Sequence, residues 1–423
     1  MNTVKSTRMH EYLTTPAHPR AWAVIDKSAL MHNWRTLAGR VSAASPATVP
    51  FAVIKADAYG HGIRPVAEAL SEAGCRRFAV ACLEEAVALR RVLREIGGGD
   101  ASDARYEMLI LGYVDPADAA VLSEMHVATA ILSTDHGRAM DAAAREAGVE
   151  VMGHVALDTG MNRIGLPTHT DGEIDRAVSD IVALMQEHEE GRGLRVDGLF
   201  THFARSDEDY DTEMADGSLT MTQYARYRRV LDALTARGLT ARGLRPRVCH
   251  VCNSAAAARF PAVMPEACLD AVRFGINLYG VGFSGGDVDA PALRPVMTLR
   301  TRVSHIHELL VGETVGYGGT FQADEPRTIA TLPIGYADGW RRGLAGATVT
   351  VRTAQGDFRV PLVGRVCMDQ CMADVTDLPV SVGDEVILFG LDAADLEAHA
   401  TRANTNTYEL LCGVSARVPR FYE

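Results

Sequence analysis

One lysine, Lys55, occupies a position in the sequence where its side-chain amine could act as a nucleophile. The chain has 42 lysine and arginine residues, yet only three of them are lysines, Lys5, Lys27 and Lys55. Lys55 directly follows the apolar run Phe51–Ile54. A guanidinium supplies charge but stays protonated and does not attack a carbonyl, so a lysine kept after a buried strand indicates imine chemistry with an aldehyde. The alternative is a lysine that extends from a strand end into solvent.

Residues 22 to 280 contain the pattern that would position this lysine. Short apolar runs alternate with segments whose apolar residues recur at three-to-four spacing, which is typical of helices. About eight such units predict a (β/α)8 barrel, with a doubly wound open sheet as the alternative. In a barrel, Lys55 would lie at the carboxyl end of a strand, where barrel active sites are built. The apolar runs are Trp22–Ile25, Phe51–Ile54, Phe78–Ala81, Met108–Leu111, Ala128–Leu132, Val151–Leu157, Gly198–Phe200 and Val248–Val251.

After about residue 285 the sequence changes character. β-branched runs such as Thr328–Leu332 and Glu385–Phe389 are separated by glycine and proline turns. This pattern predicts a β-rich domain. The sequence therefore predicts an α/β protein with an N-terminal extension (1–20), a (β/α)8 barrel (21–285) and a C-terminal β-rich domain (286–423).

Composition limits the class of partner. The formal net charge of -12 disfavours nucleic acid, since phosphate backbones need clustered positive charge. No segment reads as a signal peptide or a membrane span, so we expect a cytoplasmic protein with a small-molecule substrate. Two cysteine pairs, Cys249/Cys252 and Cys367/Cys371, have spacings seen in zinc sites, but each lies in an apolar stretch where cysteine behaves as a small hydrophobe. We therefore expect no metal.

A series of motifs carries a family resemblance. The segment Ala52–Gly62 resembles the cofactor-lysine signature of alanine racemases, and further matches follow in chain order through nearly the whole sequence after residue 20. This resemblance implies a pyridoxal 5'-phosphate (PLP) enzyme that interconverts L- and D-alanine, with Lys55 holding the cofactor. The further matches are Leu157–Gly165, Thr201–Phe203, Asn253–Ala256, Val272–Gly280, Gly316–Gly318, Ile334–Trp340, Gly364–Asp369, Tyr408–Glu409 and Arg417–Arg420.

The resemblance implies a set of cofactor contacts. Hydroxyls and backbone N–H groups would hold the phosphate, since glycine allows close approach and oriented N–H groups suit a dianion. For Asn253-Ser254 alone, a plain helix N-cap is the alternative. The implied cofactor-binding residues are Lys55, Tyr59, Arg163, His202, Asn253, Ser254, Arg273, Gly275, Ile276 and Tyr408.

The resemblance also implies catalytic roles for Lys55, Tyr317, His202 and Arg273. Arg273 would donate to the pyridine nitrogen without releasing its proton, which favours reprotonation over transamination. Lys55 and Tyr317 would serve as acid and base on opposite faces of the substrate Cα, with His202 linking the tyrosine to Arg273. Taken singly, His202 could be a core histidine, Tyr317 a turn aromatic and Arg273 one end of a salt bridge.

Substrate contacts are implied for Arg163, Met368 and Tyr336. In the family, Tyr317 and Met368 reach the site from a partner subunit, so we expect a head-to-tail homodimer with composite sites. The sequence departs from the family at Ala156, where many members carry a carbamylated lysine seven residues before the carboxylate-binding arginine. Either a bound anion such as chloride or Asn162 would then have to orient Arg163.

Other functions stay open at this point. A broad-specificity or serine racemase shares the motifs. A PLP-dependent decarboxylase of the same architecture would pair the pyridine nitrogen with a carboxylate, and a non-catalytic PLP-carrying barrel would lack the β-rich domain. A role in supplying cell-wall D-alanine and a catabolic role are equally compatible with these residues.

Overall fold

The computed structural model describes residues 18–97, 105–186, 191–208, 210–237, 246–282 and 292–423. The predicted N-terminal extension lies outside this part of the chain up to residue 17. The predicted domain boundary between residues 285 and 286 also lies outside it. The proposed domain limits therefore stay a prediction.

Eight parallel strands form the first sheet, and they close into a barrel. Each strand pairs with the next, and a bridge between His250 and Ala271 joins the seventh strand to the chain just before the eighth. This closure excludes the open doubly wound sheet. The strands are Phe51–Val53, Arg77–Val80, Glu107–Ile110, Ala128–Ile131, Glu150–Asp158, Gly193–Phe200, Val248–His250 and Arg273–Phe274, with the two-residue strand Leu166–Pro167 attached to the edge of Glu150–Asp158.

Helices connect the barrel strands and cover them on the outside. Their ends follow local capping rules: Asp26 accepts from the Ala29 N–H at one N-terminus, and Gly148 ends another helix in the left-handed conformation. The helices of this region are Lys27–Ala44, Ile63–Glu72, Leu83–Gly97, Ala119–Glu124, Thr134–Ala147, Asp171–Gln186, Tyr210–Met214, Leu219–Ala236 and Ser254–Val263, with the 3-10 turns Pro116–Asp118, Pro265–Cys268 and Ile276–Tyr279.

The second domain is built on a nine-stranded sheet. Its strands, in spatial order, are His305–Leu309, Arg327–Leu332, Cys371–Asp374, Gly356–Val363, Thr348–Thr353, Glu385–Phe389, Met297–Arg302, Ala21–Ile25 and Arg420–Tyr422. A two-stranded ribbon, 3-10 turns and two helices complete it: Thr314–Val315 with Phe321–Gln322, Tyr336–Asp338, Arg342–Leu344, Ala393–Arg402 and Thr407–Gly413. The barrel and β-rich domain confirm the predicted fold class.

The prediction from apolar runs is wrong for the strand Ala21–Ile25, which belongs to the second sheet and not to the barrel. It was assigned to the barrel, but it pairs antiparallel with Met297–Arg302 and parallel with Arg420–Tyr422, both in the second sheet. The eighth barrel strand is instead Arg273–Phe274. An apolar run identifies a buried strand but not its partner, and two residues are too few to show periodicity.

Candidate active site

The carboxyl ends of the barrel strands surround a cavity of about 410 Å3. Of the ten residues predicted to bind the cofactor, Ile276 lines a neighbouring cavity of about 210 Å3. The two cavities share Asp207, Asn406 and Tyr408 as lining residues. Nine of the residues predicted to bind the cofactor line the larger cavity: Lys55, Tyr59, Arg163, His202, Asn253, Ser254, Arg273, Gly275 and Tyr408.

Lys55 opens an unusual turn. Ala56, Asp57, Ala58 and Tyr59 all have positive φ, between 50° and 56°, so the segment Lys55–Tyr59 is a left-handed turn. Each such residue costs about 1–2 kcal/mol, and so the turn depends on its surroundings.

Contacts from several elements hold the left-handed turn. The Glu85 carboxylate accepts from the Ala56 N–H at 2.6 Å and from the Ala81 N–H at 2.8 Å. Asp57 accepts from the Ile63 N–H at 2.7 Å. At the end of the turn, a Cβ on Gly60 would lie 2.6 Å from the Leu411 carbonyl oxygen, so the turn packs closely on the helix Thr407–Gly413. That helix carries Tyr408 into the cavity.

The environment of Lys55 shifts its amine toward the neutral form. Burial lowers the pKa of the amine, and the positive charge of Arg163 lowers it further. A neutral amine is the form that attacks an aldehyde or accepts a proton. Among the described residues, no carboxylate forms an ion pair with Arg163.

Hydroxyl groups also converge around Gly275 in the wall of this cavity. The Ser254 hydroxyl accepts from the Gly275 N–H at 2.8 Å, which leaves its own proton free to donate elsewhere. A Cβ on Gly275 would lie 2.8 Å from the Tyr59 hydroxyl and 2.9 Å from the Ser254 hydroxyl, so only glycine keeps this cradle open. Burial raises the pKa of Tyr59 and of Tyr408, whose hydroxyls therefore stay protonated donors. Neutral donors around an open cradle fit a phosphate dianion.

Arg273 is buried and has unusual partners. Its guanidinium donates to the His250 ring at 2.5 Å and to the carbonyl oxygens of His250, Thr201 and Val251. No carboxylate pairs with it in the described part of the chain, and burial lowers its pKa to about 10. The guanidinium is thus charged at neutral pH and held by neutral acceptors.

The link that the resemblance implied from His202 to Arg273 is not formed here. No hydrogen bond joins the His202 ring to Arg273 among the described residues; the Arg273 guanidinium donates to the His250 ring and to backbone carbonyl oxygens instead. His202 still lines the cavity. Burial and then the charge of Arg273 lower its pKa well below the usual value, so the ring is neutral at neutral pH.

Ala156 lies in an apolar cluster with Ala130 and Phe200, against which Leu132 and Ile164 pack. The methyl group at this position thus has apolar neighbours where many family members carry a charged lysine carbamate. Asn162 does not compensate: its backbone N–H donates to Asp158 and its side-chain amide points to the Gly160 carbonyl at 3.5 Å. No contact among the described residues supports the suggestion that Asn162 orients Arg163.

Three predicted residues do not line the cavity within this chain. Tyr317, Met368 and Tyr336 lie in the second domain and are 71 %, 54 % and 45 % exposed. Within the described part of this chain these three side chains therefore face solvent and not the cavity.

Sequence reasoning missed some cavity residues. Asn406 caps the helix Thr407–Gly413 by accepting from the Glu409 N–H, and it lines the cavity beside Tyr408. Leu111 and Met161 line the cavity with apolar side chains. The cap signal of an asparagine before Thr407 was readable in the sequence, but nothing local indicated which cavity it would reach.

Comparison with known proteins identifies the family. The model described as alanine racemase, N-terminal domain, matches residues 25–282, and the model described as alanine racemase, C-terminal domain, matches residues 296–422. The chain belongs to the alanine racemase family. As a member of this family, the protein is an amino-acid racemase, which is an isomerase.

Individual relatives agree over nearly the full length. The alanine racemase of Desulfovibrio desulfuricans is 38 % identical over 95 % of this chain and 97 % of its own. That of Desulforamulus reducens is 37 % identical over 95 % and 98 %. The crystal structure of alanine racemase from E. faecalis superimposes with a TM-score of 0.78 at 33 % identity and covers 97 % of this chain and 100 % of its own. No helix in the described ranges is long and apolar enough to cross a membrane.

Proposed function

We propose that this protein interconverts L- and D-alanine with PLP, using Lys55 and Tyr317 as the two bases. The observation that carries the proposal is the single cavity that brings Lys55, Arg163, Arg273 and the hydroxyl cradle together. When bound, PLP supplies an electron sink that makes the α-proton of an amino acid removable. Every other step belongs to side chains of the protein.

The ends of the cavity correspond to the ends of the cofactor. The cradle of Tyr59, Ser254 and Gly275 would bind the phosphate, with Ile276 and Tyr408 beside it. Lys55, with its depressed pKa, would bind the aldehyde end. Asn253 supports this arrangement from the helix N-terminus, where its side chain accepts from the Ala256 N–H.

Two arginines would orient the reacting groups. Arg273 would donate a hydrogen bond to the ring nitrogen and keep its own proton. Arg163, which has no ion-pair partner among the described residues, is available for the substrate carboxylate, whose two oxygens suit the guanidinium fork. The substrate is then held at its carboxylate while its Cα faces Lys55.

Inversion at Cα needs proton transfer on both faces. Lys55 would remove or return the proton on one face, and the phenol of Tyr317 of the partner subunit would do so on the other. His202, neutral because of burial and nearby positive charge, can accept a hydrogen bond from a neighbouring donor without adding charge. A proton lost to one base and regained from the other leaves the enantiomer and no net change in composition.

The composite site requires a head-to-tail homodimer. Tyr317, Tyr336 and Met368 are exposed in the isolated chain although their types suit a site wall. In the proposed dimer, each chain contributes these three residues to the cavity of its partner. The backbone N–H of Met368 would add a second donor for the substrate carboxylate.

A mixed-dimer experiment tests the composite site. Homodimers of Lys55→Ala and of Tyr317→Ala should both be severely impaired. After subunit exchange, random pairing makes half of the dimers mixed, and each mixed dimer has one site with both bases, so about a quarter of wild-type activity should return. No recovered activity, with exchange confirmed by differently tagged chains, would rule out the composite site.

The substrate and reaction are tested by product analysis. Purified protein is incubated with each L-amino acid, and the enantiomers are resolved. Conversion of alanine alone supports the proposed function, and equal conversion of serine or several others would identify a broad-specificity racemase. Release of carbon dioxide instead of the D-enantiomer would establish a decarboxylase.

A further inference from the structure

A line of buried polar side chains runs from Arg273 toward the amino-terminal end of the barrel. The His250 Nδ1 lies 2.5 Å from Arg273 Nη1, and the His250 Nε2 lies 3.0 Å from His154 Nδ1. The His154 Nε2 in turn lies 3.9 Å from Asp197 Oδ2. The two histidines are 0 % and 2 % exposed, so neighbouring groups and not bulk water determine their state.

The contacts determine where the histidine protons lie. Arg273 can only donate, so the His250 Nδ1 must accept and the proton of that ring is on Nε2. This N–H donates to the His154 Nδ1, which places the proton of the second ring on its Nε2, facing Asp197. Burial lowers the pKa of His154 to about 4 and that of His250 well below its usual value, so both rings are neutral at neutral pH.

Two backbone features make room for His154. The strands Glu150–Asp158 and Gly193–Phe200 pair Gly153 with Val196 and His154 with Gly198, which leaves Asp197 as the extra residue of a β-bulge. A Cβ on Gly198 would lie 2.4 Å from the His154 Nδ1. Bulge and glycine together allow the ring to lie against the neighbouring strand.

The far end of the line carries a fixed negative charge. Asp197 is 4 % exposed and accepts from Arg247 at 2.9 Å. Burial is the largest single effect and raises its pKa, but the hydrogen bond and the charge of Arg247, together with other nearby positive charge, lower the pKa below the usual value. Glu107 also pairs with Arg247, at 3.1 Å. Glu107, Asp197 and Arg247 all line a cavity of about 390 Å3 at this end of the barrel.

We propose that His154 and Asp197 are positioning residues for the racemisation: they hold His250 in the tautomer that accepts from Arg273 and thereby fix the guanidinium at the ring nitrogen of the cofactor. This rests on the proposed role of Arg273. With His154 absent, the His250 Nε2–H loses its acceptor inside the core, and a buried donor without a partner drives rearrangement. The guanidinium would then be held less firmly.

The first test compares two substitutions at one position. His154→Leu removes the acceptor at similar size, whereas His154→Asn keeps an oxygen near the place of Nδ1. His154→Leu should lower kcat about tenfold, as expected for one hydrogen bond, and raise the share of alanine converted to pyruvate by transamination, with the KM for alanine nearly unchanged. His154→Asn should restore both. Equal losses in the two variants, or no loss in His154→Leu, would overturn the proposal.

The second test uses a matched pair of carboxylates. Asp197→Asn and Glu107→Gln each remove a charge that pairs with Arg247, but only Asp197 lies within 4 Å of the His154 ring. The pyruvate share should rise in Asp197→Asn and stay at the wild-type value in Glu107→Gln. The same change in both variants would show that the Arg247 pairs, and not the line to Arg273, determine the effect.

A third measurement does not depend on the cofactor or on activity. In 15N-histidine spectra of the apoprotein, the signals missing from His154→Leu identify His154. The His154 signals should show a neutral ring protonated on Nε2 down to about pH 5, since burial lowers the pKa of His154 to about 4. A ring protonated on Nδ1 would overturn the proposal.

Arg273→Glu separates this inference from the proposed function. If Arg273→Glu abolishes racemisation while His154→Leu behaves as wild type, the proposed function holds and the positioning role fails. If Arg273→Glu changes neither the rate nor the product ratio, the proposed role of Arg273 fails, whatever tautomer His154 shows.

Discussion

Gly275 offers a direct test of the phosphate cradle. In Gly275→Ala, the new Cβ would lie 2.8 Å from the Tyr59 hydroxyl and 2.9 Å from the Ser254 hydroxyl, against 3.4–4 Å for ordinary contact. Both hydroxyls would have to move by about half an ångström or more, and the methyl group would occupy the space between them. The variant should therefore bind PLP more weakly.

The expected loss follows from the hydrogen bonds involved. A hydrogen bond to a charged group contributes about 1.5–3 kcal/mol, and losing one from a phosphate weakens binding roughly 10-fold to more than 100-fold. We expect the Kd of the apoenzyme for PLP to rise by this factor. At saturating PLP, kcat should recover, because the substitution lies at the phosphate end and away from Lys55.

The assay is titration of the apoenzyme with PLP, followed by absorbance, with activity measured at each concentration. Gly39→Ala is the matched control, since Gly39 lies in the helix Lys27–Ala44 with no atom within 4 Å of an added Cβ. Its Kd should equal that of wild type. A Kd for Gly275→Ala within twofold of wild type would refute the cradle, and a loss of kcat that persists at saturation would place the damage elsewhere.

Three further outcomes are expected. Lys55→Ala should abolish both racemisation and the visible absorbance of covalently bound PLP; a borohydride-reducible adduct in this variant would contradict the assignment. Arg163→Gln should shift the rising limb of the kcat pH profile, which reports Lys55 once substrate has displaced it from the cofactor, to higher pH, because the positive charge of Arg163 lowers the pKa of Lys55 and its removal raises that pKa. Arg163→Lys keeps the charge and should leave the limb in place, and an unmoved limb in both variants would remove Arg163 as a cause. Since Ala156 cannot be carbamylated, activity should not change when bicarbonate is removed, which dialysis against carbonate-free buffer checks.

Much of the site could be read from residue types and local order. Lys55 follows an apolar run, and in a parallel barrel the residue after such a run lies at the active face. The spacing of apolar residues identified most of the barrel strands before pairing was known. Nine of the residues that line the cavity were predicted from motifs that are contiguous in the chain, such as Asn253–Ala256.

Strand partnership was beyond this local reading. Ala21–Ile25 is apolar throughout, as a barrel strand would be, yet it pairs with strands about 275 and 400 residues away in the chain. The pairing depends on contacts between segments far apart in the chain, and the period of the apolar residues contains no information on which strands become partners. The same holds for Arg273–Phe274, whose two residues join the barrel only through pairing with Phe51–Val53.

The sequence by itself determined the fold class and the family, and it predicted Lys55 as the cofactor lysine. Only the tertiary structure decided how Lys55 continues into a left-handed turn, which four non-glycine residues adopt because Glu85 and the helix Thr407–Gly413 hold it. It also decided that Arg273 bonds to His250 and, through it, faces His154 and Asp197. The contacts from Arg273 through His250 and His154 to Asp197 join residues about 20 to 100 positions apart at distances of a few ångströms. A one-residue change of strand register would turn such a side chain to the other face of the barrel.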